Sequence, residues 1–121
     1  MVWNLICVMA GGAAGSGLRY IFFRAVPSAS FPVGTLGVNI IGSFLIGLAY
    51  IHFQNRIADE SMRLLLMTGL LGGFTTFSAF SLETLNLIQN GNLTKAGLNI
   101  VLSVSLCLIA CFAGMWTGNR V

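Results

Sequence analysis

Gly72-Gly73-Phe74-Thr75-Thr76-Phe77-Ser78-Ala79-Phe80-Ser81 interrupts an apolar stretch that would otherwise read as one continuous membrane-crossing helix. Two adjacent glycines weaken a helix, and Thr and Ser hydroxyls can take over backbone partners that a break sets free. Within a bilayer such a break is tolerated only where it is buried in protein or lines a polar cavity. The run therefore predicts a membrane span broken near its middle, and it marks where a working site should lie.

Composition agrees with the membrane reading. Of the 121 residues, 56% are hydrophobic and only 7% charged, with a mean hydropathy of +0.89. Soluble domains carry about 25% charged residues. One span takes about 20 apolar residues. The expectation is an all-α membrane protein, a single four-helix transmembrane domain over residues 1–121. Its spans run roughly from Trp3 to Phe23, Val33 to Phe53, Met62 to Leu87 and Leu93 to Thr117. Pro27 to Pro32, Gln54 to Ser61 and Asn90-Gly91-Asn92 read as connections. Trp3, Tyr20, Tyr50 and Trp116 fall near span ends, where interfacial aromatics belong. The first apolar run lacks the basic start of a cleavable signal. Four short helices enclose little space, so oligomerisation is expected.

The six basic residues are scattered, and no basic run points to nucleic acid. Four spans place Arg56, Arg63 and Arg120 on one side of the membrane and Arg19, Arg24 and Lys95 on the other. Orientation follows Lys/Arg bias, and this chain has none. It is therefore compatible with insertion in both directions and pairing as an antiparallel dimer, or with one dominant loop fixing a single topology.

The other spans carry polar rows. Gly11 and Gly15 are four apart, a spacing that lets helices approach closely. Arg19 follows, placed either to snorkel to the interface or to attract anions to a pore mouth. Thr35, Asn39 and Ser43 share one face of the second span, and Asn99, Ser103 and Cys107 one face of the fourth. The Asn39 NH₂ can donate to an anion while its oxygen needs a donor of its own; an interhelical hydrogen bond is the alternative. Phe77 and Phe80 share a face as core packing or as ring edges, which are electropositive and can meet a small anion. Ser78, Ser81, Thr75 and Thr76 put hydroxyls nearby. Carbonyls released from Gly72 to Thr75 are candidate ligands for a hard cation, or the kink is satisfied by Thr side chains. Glu83, one turn beyond Phe80, suits an arginine partner, a vestibule or simple solvation.

No catalytic set is visible. His52 is the only histidine, and no Ser/His/acid set, metal cluster or phosphate loop occurs. Asp59, Glu60 and Glu83 are the only acids, and none sits mid-span with a clear partner, which weighs against proton-coupled transport. Cys7, Cys107 and Cys111 read as reduced packing residues.

Three runs together resemble the Fluc/CrcB family of small bacterial fluoride channels. They are Gly11-Gly12 through Arg19-Tyr20, Gly34-Thr35 through Asn39 and Gly42, and Gly72-Gly73 through Phe80-Ser81 and Glu83. The resemblance covers nearly the whole chain in order and spacing. It implies a dual-topology antiparallel homodimer in the cell inner membrane, in contact with the lipid bilayer. It also implies a passive, fluoride-selective channel that exports fluoride and lowers its cytoplasmic toxicity. On that resemblance Asn39, Phe77, Phe80, Ser78, Ser81, Thr35 and Ser103 form the fluoride pathway, and Arg19 lies at a vestibule. The backbone carbonyls of Gly72 and Thr75 from both subunits would hold a structural sodium ion (Na+) at the dimer centre. One departure is Ala79, where the family usually carries Thr or Ser. The rival readings are a small multidrug-type antiporter, which needs a glutamate in its first span that is absent here, and a non-transporting membrane packing protein.

Overall fold

The computed structural model describes residues 1–27, 30–54 and 60–121. Arg56 and Asp59 fall outside the described residues. Four helical segments are long and apolar enough to cross a membrane: Val2–Ala25, Val33–Gln54, Glu60–Gln89 and Leu93–Arg120. Each extends slightly beyond the expected span. The first two are uninterrupted helices, α1 (Val2–Ala25) and α2 (Val33–Gln54). The third begins with α3 (Glu60–Arg63), continues through a π-helical stretch (Leu64–Leu71) and a last helical turn, α4 (Gly72–Phe74), and resumes as α5 (Phe77–Gln89). The fourth is α6 (Leu93–Arg120). The chain is a multi-pass membrane protein with a broken third span.

The break falls slightly later than the glycines suggest. Gly72 and Gly73 remain helical, whereas Thr75 (φ −89°, ψ 158°) and Thr76 (φ −152°, ψ 117°) are extended. Side-chain branching explains the placement, since β-branched residues lose rotamer freedom in a helix and suit extended backbone. Both the Thr75 amide and its hydroxyl donate to the Leu71 carbonyl, at 3.1 and 3.0 Å, and so close the helix that ends there. Thr76 opens the next one, its hydroxyl accepting from the Ala79 amide as an N-cap. The turn at Asn90-Gly91-Asn92 closes α5 just as its residues imply. Asn92 N–H donates to Leu87 at 2.8 Å and Gly91 N–H to Ile88 at 3.1 Å, a Schellman ending with Gly91 at φ +80°.

Packing follows the small residues. Helix α1 lies against the π-helical stretch, and α2 lies against α6. A Cβ on Gly15 would stand 2.1 Å from the Leu70 carbonyl oxygen, and one on Gly114 would stand 2.0 Å from that of Phe44. Both helix pairs thus meet backbone to backbone, as association between apolar helices in lipid requires. Trp3, Tyr20, Tyr50 and Trp116 are exposed at the span ends, and Arg120 stacks 4.2 Å over Trp116. The interior is thin. Its largest fully buried side chains are Val38 and Asn99, so an amide occupies one of its best-protected positions.

Candidate functional site

The break is held by a side chain 37 residues away in sequence. Asn39, in the second turn of α2, accepts from the Thr76 amide through Oδ1 at 2.8 Å and donates from Nδ2 to the Thr76 carbonyl at 3.1 Å. A backbone N–H only donates and a carbonyl only accepts, so the orientation of the Asn39 amide is fixed. It serves both backbone groups of one extended residue. In an unbroken helix the Thr76 N–H would go to the Gly72 carbonyl four residues back. Its diversion to Asn39 removes that partner from Gly72. The second Nδ2 hydrogen of Asn39 is not needed by Thr76.

Around this clamp runs a groove of about 480 Å³. It is lined by Asn39, Gly72, Thr75, Phe77, Phe80 and Ser103, among others. Four of the seven pathway candidates and both cation-site candidates are therefore neighbours. Ser43 and Cys107, which continue the polar faces of α2 and α6, line it as well. The Phe77 and Phe80 rings lie with centroids 5.1 Å apart and planes at 44°. Phe77 is 75% exposed, whereas Phe80 is half-buried. The groove is thus apolar-walled, carries a few oriented polar groups, and is open rather than enclosed.

The remaining candidates sit elsewhere. Ser78 is exposed and pairs with the Thr76 hydroxyl at 3.1 Å. Ser81 donates to the Phe77 carbonyl at 3.0 Å. Thr35 lies farther along α2, where its hydroxyl sits 2.5 Å from Glu83 Oε1 and 3.0 Å from Oε2. Glu83 is thereby tied to α2 and lines a separate hollow with Thr35, Phe23 and Phe31. Arg19 is half-buried, and its Nε is enclosed with no hydrogen-bond partner among the described residues. The three cysteines are free, with Cys7 buried and Cys107 and Cys111 half-buried.

Two features carry no clear signal in the sequence. One is Thr84, which is buried and donates to the Phe80 carbonyl at 2.7 Å while accepting from Asn99 Nδ2 at 2.8 Å. A lone Thr one residue past an acid near a span end resembles any back-bonded hydroxyl, and its partner lies on another helix. The other is the π-helical stretch, whose run Leu64-Leu65-Leu66-Met67 has no period to betray it.

Comparison with known proteins converges on one family. A sequence model of the family described as CrcB-like protein, Camphor Resistance (CrcB), matches residues 6–115. A protein named Fluoride-specific ion channel FluC from Magnetococcus marinus is 45% identical over 118 residues, covering 94% of this chain and 96% of the relative. A protein of the same name from Shewanella sp. (strain ANA-3) is 47% identical over 114 residues and covers 92% of both. Another from Idiomarina loihiensis is 43% identical over 118 residues, covering 95% of this chain and 92% of the relative. Four membrane spans, a third span interrupted at Thr75-Thr76 and end-to-end similarity to these proteins place the chain in the CrcB-like family.

Proposed function

We propose that the protein is a fluoride-selective channel of the cell inner membrane, through which fluoride passes down its electrochemical gradient and leaves the cytoplasm. The observation that carries this reading is the groove in which the Asn39 amide, the Phe77 and Phe80 rings and Ser103 meet. Fluoride is small and strongly hydrated, and a narrow passage must replace its water with donors. The spare N–H of Asn39 and the electropositive ring edges are such donors. The names of the relatives support the same ion. The chain is a conductor rather than an enzyme in this reading.

The working unit is an antiparallel homodimer. The equal split of basic residues between the two sides supports insertion in both orientations. The openness of the groove and the exposed Phe77 ring support a second copy as its further wall. Sodium fits the centre of such a dimer. A hard cation takes carbonyl oxygens, and the Gly72 carbonyl has lost its helical partner because Thr76 turns to Asn39. The Gly72 and Thr75 carbonyls would hold the ion, which would tie two broken spans together. Arg19 would stand at a vestibule, and Ser78, Ser81 and Thr35 would extend the polar track away from the groove.

The test is fluoride efflux from liposomes carrying purified protein, with a potassium ionophore to dissipate charge and chloride as the control anion. Ionophore-dependent fluoride efflux without chloride efflux is expected. Folded protein that passes no fluoride refutes the channel and returns Asn39, Phe77 and Phe80 to packing roles.

A further inference from the structure

We propose that Asn99 is a positioning residue that decides which way the Ser103 hydroxyl points, and so whether an anion in the groove meets a donor or an acceptor there. The inference rests on the groove being an anion pathway. It follows from a line of four residues: Ser103, Asn99, Thr84 and the Phe80 carbonyl.

This line has one possible direction. The Phe80 carbonyl only accepts, so the Thr84 hydroxyl, 2.7 Å away, gives it its single hydrogen. Thr84 then has only lone pairs to offer Asn99, and the amide must present Nδ2, at 2.8 Å. A turned amide would set lone pair against lone pair. Oδ1 therefore faces Ser103, which donates to it at 3.4 Å. Asn99 is 2% exposed and Thr84 is also buried. A backbone carbonyl on α5 thus orients a hydroxyl on α6 through two enclosed side chains.

The links differ in strength. Those at 2.7 and 2.8 Å are near the usual optimum, whereas 3.4 Å is at the weak end. The Ser103 proton is held, but loosely. Ser103 lines the groove beside Phe77 and Phe80, whereas Asn99 does not. With no anion present the proton is turned toward Asn99. An anion gains it as a donor only by drawing it away. This makes the Ser103 position weaker for an anion than a free serine, which suits conduction, because an ion must bind well enough to enter and weakly enough to leave.

The experiment measures fluoride flux against fluoride concentration for wild type, Asn99→Ala, Thr84→Val and Thr84→Ser, each with and without Ser103→Ala. Asn99→Ala removes the acceptor that holds the proton. Thr84→Val keeps the side-chain shape but unlocks the amide, which can then turn its NH₂ to Ser103 and free the hydroxyl. Loss of one weak competing hydrogen bond is expected to lower the half-saturating fluoride concentration about threefold in both. Thr84→Ser, which keeps the hydroxyl, is expected to match wild type. Without the Ser103 hydroxyl, neither variant shifts half-saturation. A purely structural role would lower maximal flux and leave half-saturation alone. Unchanged half-saturation in the variants that fold, or a shift that survives Ser103→Ala, overturns the inference while the channel stands. Absence of wild-type flux overturns the channel reading itself and this inference with it.

Discussion

Replacing Asn39 with Leu tests the clamp on the broken span most directly. The change keeps the side-chain size but removes both hydrogen bonds to Thr76, the 2.8 Å bond to its N–H and the 3.1 Å bond to its carbonyl. A buried polar group left without a partner costs about 1–3 kcal/mol, so two such groups give an upper range of about 2–6 kcal/mol. Relaxation lowers this figure, because the break can heal. The Thr76 N–H would return to the Gly72 carbonyl, and two Thr residues in a helix would cost about 0.7 kcal/mol each. Healing would also rotate Phe77 and Phe80 away from the groove. The expected loss is about 2 kcal/mol of stability. That is well above the ~0.6 kcal/mol average of side-chain hydrogen bonds between membrane helices. Reversible unfolding of the purified protein in mixed micelles, followed by Trp3 and Trp116 fluorescence, measures it. A variant within about 0.5 kcal/mol of wild type would show that the Thr76 backbone does not depend on Asn39, and the account of the break would fail.

Three further outcomes are expected. Phe80→Ile keeps an apolar, bulky residue but removes the ring edge; fluoride efflux should fall to background in correctly assembled protein, and undiminished efflux counts against ring-edge coordination. Gly15→Ala places a Cβ 2.1 Å from a carbonyl oxygen that cannot move without its helix, so a loss of about 1–3 kcal/mol is expected; Gly17→Ala, with nothing within 4 Å, should be neutral or up to about 1 kcal/mol stabilising in the same unfolding assay. A small thiol-reactive probe should slow fluoride flux through modification of Cys107, which lines the groove, and Cys107→Ala should remove that sensitivity; flux unaffected by a probe shown by mass to label Cys107 would remove that residue from the pathway wall.

Much of the architecture was legible because lipid imposes simple rules. Span length, end-placed aromatics and Asn90-Gly91-Asn92 define the four crossings, and two glycines beside two threonines announce the break. The exact break point depends on a partner distant in sequence. The Asn39 side chain holds the backbone N–H and carbonyl of Thr76, groups that every residue but proline carries and that leave no trace in residue type. The π-helical stretch is hidden for a related reason: in a run as uniformly apolar as Leu64 to Met67, no face distinguishes one helical period from another. Asn39 and Ser103 stand out on polar faces of their helices and Phe77 and Phe80 as an aromatic pair, but only the family resemblance joins the four into one neighbourhood, with the Phe77 ring largely exposed. Thr35 departs from it because its face continues along α2 to Glu83.

The interruption at Thr75-Thr76 also changes the electrical character of the third span. An intact helix places its partial charges at the two membrane surfaces, where water screens them. Breaking it creates two new termini midway along the span, a carbonyl end at Phe74 and an amide end at Phe77. Each carries about half an elementary charge of opposite sign. Where these ends meet, one short piece of backbone offers negative potential to a cation and positive potential to an anion, with no ionised side chain. Carbonyl ligands for sodium and a favourable approach for fluoride would then have a common origin, and a substitution that heals the helix would abolish both together.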